Sequence, residues 1–124
     1  GLKSCVLNYI NHANMTGEEI AVPDLVASFQ HSVVDSLVSR AVMAAKEYGY
    51  PRLAIAGGVA ANSALREGMK EACAKAGLSF YYPSPIYCTD NAAMIGVAGY
   101  YEFIKGVRSG WDLNAVPNLR LGER

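Results

Sequence analysis

Residues 52–66 read RLAIAGGVAANSALR. The run 53–56 is apolar without alternation and is stopped by Gly57 and Gly58, a pattern typical of a short strand buried on both faces. A helix is expected from about Asn62 to Gly77, because apolar residues recur there at helical spacing: Leu65, Met69, Ala72, Cys73 and Ala76. The stretch therefore predicts a strand, a tight glycine turn and an amphipathic helix.

A second strand is predicted at 79–82, directly after this helix. Two strands joined by a helix form a β-α-β crossover, which is parallel and right-handed. The fold class is therefore α/β, helix-rich with a short parallel sheet. Parallel sheets rarely stop at two strands, because both of their faces are normally covered. We expect a partner segment, earlier in the same polypeptide, to complete the sheet.

The same helical spacing of apolar residues predicts further helices at 2–12, 25–48 and 91–105. A polar loop at 14–22 separates the first two, and Asp24 is expected to cap the start of the second. Thr89 or Asp90 is expected to cap the helix at 91–105. These capping residues set the predicted helix boundaries.

The helix predicted at 91–105 carries no charge before Glu102. A helix that is apolar or small all round normally has neighbours on every side, so this helix is a second sign of a missing partner segment. The stretch 106–124 has no comparable periodicity. It is expected to be a loosely structured tail.

The composition is that of a globular protein of one domain. The chain has 124 residues, of which 52% are hydrophobic and 18% charged, and eleven basic residues balance eleven acidic ones. This composition is too apolar for a disordered chain. The neutral balance argues against a free-standing nucleic-acid-binding protein and a polybasic membrane surface. Three widely spaced cysteines without a CxxC pair indicate reduced thiols in a cytoplasmic protein: Cys5, Cys73 and Cys88.

The glycine turn at 55–62 is the first candidate site. Gly57 and Gly58 allow a ligand to approach the backbone closely, and the start of the following helix favours an anion such as a phosphate. Asn62 either caps that helix or offers a donor and an acceptor to a ligand. The ending of a Walker loop is absent. An ordinary β-α turn and a ligand-binding turn both remain open on these residues alone.

Asp90 is the second candidate, because it lies where a strand passes into a helix. A carboxylate there can cap the helix or bind a metal ion, but one aspartate is not a metal site. His12 and His31 do not have the spacing of a metal-binding pair, and Cys88 is expected to pack rather than coordinate. No Ser/His/Asp or Cys/His catalytic set can be assembled. A group of tyrosines is expected in the core or at an interface rather than stacked on bases: Tyr81, Tyr82, Tyr87, Tyr100 and Tyr101.

Taken together, GGVAANSALR at 57–66 and CTDNAAMI at 88–95 resemble the C-terminal part of the tRNA N(6)-adenosine threonylcarbamoyltransferase family, formerly called O-sialoglycoprotein endopeptidase or glycoprotease. The opening residues 1–3 and the helix at 25–48 are also similar to that family. The resemblance covers nearly the whole chain, about the final third of a full-length member. It implies one partial lobe, residues 1–124, of an actin/sugar-kinase/Hsp70-like ATPase fold with a ligand cleft between two lobes.

The resemblance also implies roles for particular residues. Asn62 matches the asparagine that holds the threonylcarbamoyl-AMP substrate, and Gly57 and Gly58 match the turn beneath it. Asp90 matches an aspartate that binds a divalent metal ion, either iron or zinc. The family's other metal ligands, a His-x-x-x-His pair in the first lobe, do not occur in this sequence.

The activity implied by the family is an acyl transfer. Members move a threonylcarbamoyl group to the adenosine next to the anticodon, in tRNAs that read codons starting with A. Their partners include a smaller paralogue, a nucleotide-binding ATPase and an adenylate-forming synthase. This chain alone is expected to be inactive, since such a transfer needs both reactants held in register.

Three other functions remain open on the sequence. The first is the nucleotide-binding lobe of another sugar-kinase-like ATPase, which would share the glycine turn. The second is a metallopeptidase, as in the older glycoprotease name, although no convincing water-activating base is present. The third is a non-catalytic interaction module that uses the apolar helix at 91–105 as a docking surface.

Overall fold

The computed structural model describes residues 1–120. The chain divides into two compact units, one ending at Thr89 and the other beginning at Asp90. The described residues form four helices and two strands: α1 (Leu2–Thr16), α2 (Val22–Glu47), β1 (Arg52–Ala54), α3 (Ser63–Ala76), β2 (Ser79–Tyr81) and α4 (Ala92–Ile104). The first five belong to the first unit and α4 to the second, so the predicted α/β, helix-rich class is confirmed.

The β-α-β crossover is confirmed. Strands β1 and β2 pair in parallel, with Leu53 opposite Phe80, and the described residues contain this two-stranded sheet alone. The prediction that β1 is buried on both faces is wrong, because Leu53 is buried while Arg52 and Ala54 are exposed. Side chains alternate along a strand, and the helices α2 and α3 pack on the side to which Leu53 points.

Helix α3 supplies most of the core of the first unit. Its buried side chains are Leu65, Met69 and Cys73, which pack with Ala45 of α2 and Leu53 of β1. A fully buried side chain of the size of Met69 contributes about 1.5–3 kcal/mol to stability. The predicted apolar face of this helix is therefore its core-facing surface.

Gly68 lies where α3 approaches α2 closely. A methyl group added at this glycine would lie 3.1 Å from Cγ1 of Val34 and 3.5 Å from Cγ2 of Val38. The distance of 3.1 Å is shorter than an ordinary carbon–carbon contact. The glycine lets the two helices lie close together at this point.

Two helix boundaries in the first unit differ from the prediction. Helix α1 continues to Thr16, whose hydroxyl donates to the carbonyl of His12 at 3.1 Å, and it ends at Gly17 with a left-handed φ of 73°. Helix α2 begins at Val22, so Asp24 lies in its first turn and is not the N-cap. Pro23 stands within that first turn, where its missing N–H leaves no intrahelical hydrogen bond unmade.

The second unit contains α4. Its N-cap is Asn91, whose side-chain oxygen accepts a hydrogen bond from the backbone N–H of Met94 at 3.0 Å. The prediction of Thr89 or Asp90 as the cap is therefore wrong, by two residues or by one. No residue of α4 is buried, so the neighbours expected on every side are not found within residues 90–120. None of the helices in the described chain is both long and apolar enough to cross a bilayer.

Residues 105–120 follow α4 without a helix or strand and contain three short turns. The predicted tail at 106–124 extends past them, and its last four residues, 121–124, lie outside the described residues. That this stretch is loosely structured stays a prediction.

Candidate functional site

The glycine turn after β1 has two glycines with different backbone conformations. Gly57 adopts φ 83° and ψ 177°, a combination that is essentially restricted to glycine. Gly58 has no such conformation, and a methyl group added there would meet nothing within 4 Å. Gly57 therefore shapes the turn, while Gly58 keeps its surface open. The chain then forms a 3₁₀ turn (Gly58–Ala61) whose Ala60 is buried.

Asn62 ends this 3₁₀ turn and begins α3. Its Oδ1 accepts a hydrogen bond from the backbone N–H of Leu65 at 3.0 Å, so the capping interpretation is confirmed. Its Nδ2 donates to Oε1 of Gln30 on α2, at 3.4 Å. Because the oxygen is used at the helix start, the amide nitrogen is the part of Asn62 that can face a ligand.

A pocket of about 180 Å³ lies beside this amide pair, between α2, the glycine turn and the first turn of α3. Its wall is mostly apolar, and it is lined by Val26, Phe29, Gln30, Val33, Val34, Val59, Asn62 and Leu65. Pockets for drug-sized ligands are about 300–1,000 Å³, so this pocket has room for one ring system rather than for a whole nucleotide. A mostly apolar lining that includes two side-chain amides suits a flat ring with a polar edge.

The sequence analysis did not single out Gln30 or the pocket. Phe29 and Val33 have the helical spacing of residues that face a core. This spacing is the same whether the apolar face of a helix lines a cavity or is covered by other side chains. Phe29 is 40% exposed and Val26 59% exposed. Residues of the N-terminal half of α2 line the pocket. The C-terminal half of the helix packs in the core through Ala45.

Arg66, on the first turn of α3, was also missed. Its Nε donates to the carbonyl of Ala60, and its Nη2 donates to the carbonyl of Pro83 at 3.4 Å and to Sγ of Cys88 at 3.2 Å. Its Cζ lies 4.8 Å from the ring centre of Tyr82. The arginine thus joins the glycine turn to the segment that follows β2.

The three cysteines are free thiols. Cys88 is 2% exposed, so the expectation that it packs is confirmed. Burial raises the pKa of the Cys73 thiol from its ordinary value, because the thiolate would lose its hydration in the core. Cys5 is exposed on α1. The five tyrosines singled out above are between 47% and 60% exposed, so they do not lie in the core of the described residues, and their expected place at an interface stays a prediction.

Asp90 is exposed and stands two residues before α4. No group of three or more histidine, cysteine, aspartate or glutamate side chains in the described part of the chain could hold a metal ion together. An exposed carboxylate suits a hard or borderline cation as one ligand. The carboxylate of Asp90 has the chemistry of one such ligand, and its binding of a metal ion stays a prediction.

The sequence is similar to that of one known family. The family model described as "TsaD: tRNA N6-adenosine threonylcarbamoyltransferase" matches residues 1–97. A protein of Clostridium botulinum (strain 657 / Type Ba4) named tRNA N6-adenosine threonylcarbamoyltransferase is 56% identical over all 124 residues, which are 36% of that protein.

Two further relatives with the same name agree with this match. The Clostridium novyi (strain NT) protein is 55% identical over the whole chain, which covers 36% of it. The Clostridium perfringens (strain SM101 / Type A) protein is 55% identical over the whole chain, which covers 37% of it. The chain spans little more than a third of the length of the curated relatives it matches, and it belongs to the tRNA N6-adenosine threonylcarbamoyltransferase family.

Proposed function

We propose that this chain is the C-terminal part of an enzyme that transfers a threonylcarbamoyl group from threonylcarbamoyl-AMP to tRNA. The acceptor is N6 of the adenosine next to the anticodon, in tRNAs that read codons starting with A. In this reaction the adenosine amine attacks the carbamoyl carbon of the mixed anhydride, loses a proton, and AMP leaves. Family membership and the names of the relatives support the reaction class.

The observation that carries the proposal is that Asn62 lines the apolar pocket. We assign the adenylate half of the substrate to Asn62, Gly57 and Gly58. An adenine ring is flat, has an apolar face and has a polar edge, which suits an apolar lining that includes two side-chain amides. The open surface at Gly58 leaves room for the rest of the adenylate beside the turn.

Asp90 is proposed as one ligand of a divalent metal ion, iron or zinc. Its exposed carboxylate supports this role, and the other ligands would come from a part of the protein outside this chain. When bound, the ion supplies a Lewis acid for the carbamoyl-phosphate anhydride. The described residues of this chain contribute the adenylate-holding wall and one carboxylate.

The proposed context is one partial lobe of an actin-like, two-lobed ATPase fold in the cytoplasm. The two-stranded parallel sheet and the exposed apolar residues of α4 support a lobe that needs further elements. The proposed partners are tRNA, bound by the full-length protein, together with a smaller paralogue, a partner ATPase and the synthase that makes the adenylate. Net charge near zero supports assigning tRNA binding to the assembly rather than to this segment.

The experiment that tests the function is a transfer assay. A full-length protein that carries this segment is incubated with its partner proteins, threonylcarbamoyl-AMP and unmodified tRNA. The tRNA is digested to nucleosides, which are quantified by mass spectrometry. We expect the modified adenosine with the full-length protein and none with residues 1–124 alone.

Two outcomes would contradict the proposal. A full-length protein that binds its partners but forms no modified adenosine would refute the activity. Turnover by residues 1–124 alone would refute the division of the site between this segment and the rest of the protein. A thermal shift of this segment with AMP reports adenylate binding separately, because a ligand that binds the folded state stabilises it.

A further inference from the structure

The side-chain amides of Gln30 and Asn62 meet at the apolar pocket, which both residues line. Nδ2 of Asn62 donates to Oε1 of Gln30 at 3.4 Å, and both residues belong to the unit that ends at Thr89. Oδ1 of Asn62 already accepts the hydrogen bond from the backbone N–H of Leu65 at 3.0 Å. The helix cap therefore fixes which atom of the Asn62 amide is turned towards Gln30, and that atom is a donor.

The orientation of the Asn62 amide in turn fixes that of Gln30. An amide nitrogen only donates hydrogen bonds, whereas an amide oxygen accepts them through two lone pairs. If the Gln30 amide turned by half a rotation, Nε2 would face Nδ2 of Asn62, and two donors cannot form a hydrogen bond. Gln30 therefore keeps Oε1 beside Asn62, with one lone pair of this oxygen left for a ligand. Its Nε2 has no hydrogen-bond partner among residues 1–120.

An acceptor beside a donor matches the part of an adenine ring that carries the 6-amino group. The amino group donates, and the ring nitrogen next to it accepts. Glutamine pairs with such a base through both of its amide atoms, because the oxygen accepts from the amino group and the nitrogen donates to the ring nitrogen. A 6-oxopurine such as hypoxanthine has an oxygen in place of the amino group, and this oxygen would oppose Oε1 of Gln30.

We propose that Gln30 is a specificity-determining residue that selects a 6-aminopurine over a 6-oxopurine in this pocket, and that Asn62 holds the Gln30 amide in the selecting orientation. The proposal rests on the function proposed above, in which the pocket takes the adenine of the adenylate. The apolar lining contacts the faces of any purine, so it does not distinguish one base from another. Gln30 and Asn62 supply the only polar side chains of the lining among the described residues.

The first test compares AMP with IMP as ligands of a full-length protein that carries this segment. The two nucleotides share their ribose and phosphate, and AMP has a 6-amino group where IMP has a 6-oxo group. Calorimetric titration should show AMP bound about tenfold or more tightly than IMP, since a glutamine paired with adenine discriminates by about that ratio. Equal affinities for AMP and IMP in the unchanged protein would overturn the proposal.

Variants of Gln30 assign the preference to this residue. Gln30→Met keeps a similar length and removes both polar atoms, so the affinities for AMP and IMP should agree within about twofold. Gln30→Glu keeps an acceptor for the amino group and for Asn62, so AMP should still be preferred. His31→Ala is the matched control, because His31 is the next residue of α2, is exposed and lies outside the pocket lining. This control should keep the preference of the unchanged protein.

The orienting contact is tested by Asn62→Ser. Serine preserves the N-cap of α3 and removes the amide nitrogen, so the Gln30 amide can turn and offer Nε2 to the 6-oxo group of IMP. The ratio of the two affinities should fall to within about threefold, even where both affinities decrease. An unchanged ratio in Asn62→Ser would overturn the orienting role of Asn62.

The outcomes separate the two proposals. If the unchanged protein transfers no threonylcarbamoyl group but loses its AMP preference in Gln30→Met, the proposed function fails and the role of Gln30 stands. If transfer occurs and Gln30→Met keeps the full preference, the role of Gln30 is overturned and the function stands. Gln30 is exposed, so Gln30→Met should unfold at the temperature of the unchanged protein. Loss of the preference in His31→Ala as well would overturn the assignment to Gln30.

Discussion

Helices α3 and α4 begin in the same way and pack differently. Each has an asparagine N-cap whose side-chain oxygen accepts a hydrogen bond from the backbone N–H three residues on, Asn62 from Leu65 and Asn91 from Met94, both at 3.0 Å. Helix α3 then buries three side chains, whereas no residue of α4 is buried. The cap sets where a helix starts, but burial sets how much the helix contributes to stability.

The difference also separates two kinds of surface. Four charged residues of α3 are exposed, and they are Glu67, Lys70, Glu71 and Lys75. The helix therefore has a solvent face and a core face. Helix α4 exposes large apolar side chains that include Ile95, Val97 and Phe103. In this structure α3 is a completed element, and α4 is an element whose apolar residues have no cover within residues 90–120.

The largest predicted effect compares one methionine in each helix. Met69→Ala removes a side chain that is 2% exposed and should cost about 2–5 kcal/mol of the free energy of unfolding. Met94→Ala removes one that is 49% exposed and should change stability by less than about 0.5 kcal/mol. Urea denaturation of the chain, followed by far-ultraviolet circular dichroism, measures both. Equal losses would show that α4 is packed as α3 is.

The next effect concerns the turn before α3. Gly57→Ala should cost about 1–3 kcal/mol, because alanine must adopt a backbone conformation that is essentially restricted to glycine. Gly58→Ala is the control, since its methyl group would point into open space. The same denaturation experiment should leave that variant close to the parent. Similar costs at both positions would contradict the division of roles between the two glycines.

A smaller effect compares glycines inside the two helices. Gly96→Ala in α4 should stabilise by up to about 1 kcal/mol, because alanine favours the helix and its methyl group meets nothing within 4 Å. Gly68→Ala in α3 should gain less, since its methyl group would press on Val34 at 3.1 Å. Thermal unfolding measures the two shifts. A larger gain at Gly68 would show that α2 and α3 are not as close as described.

The smallest effect is a pH dependence carried by α3. Burial raises the pKa of Cys73, so the unfolded chain loses this thiol proton at a lower pH than the folded chain. The free energy of unfolding should therefore not depend on this thiol below its ordinary pKa. It should fall as the pH rises from the ordinary pKa of the unfolded chain towards the raised pKa of the folded chain. Cys73→Ala should flatten this part of the profile. Identical alkaline profiles for the parent and Cys73→Ala would contradict the assignment.

Local signals predicted much of the fold. The parallel β-α-β unit, the face of α3 and the cap at Asn62 follow from spacing and from residue types, which act over one or two turns of chain. Errors arose where several local signals compete. Before α4, three consecutive polar residues can each begin a helix, and they are Thr89, Asp90 and Asn91. The burial of β1 was overestimated because a short apolar run does not reveal how many layers cover it.

The candidate site was predicted in part. Asn62 and the two glycines were identified from the turn, and in the structure Asn62 lines a pocket. Gln30 and Arg66 were missed, because their roles depend on partners 32 and 22 residues away, Asn62 and Cys88. Contacts at such separations leave no periodic signal in a single sequence.

The most direct test of the account compares the two capping asparagines in a full-length protein that carries this segment. Serine preserves an N-cap but removes the side-chain amide. Calorimetric titration with threonylcarbamoyl-AMP should show affinity about tenfold or more weaker for Asn62→Ser and within about twofold of the parent for Asn91→Ser. Unchanged affinity in Asn62→Ser, or an equal loss in both variants, would contradict the assignment of the adenylate to the glycine turn.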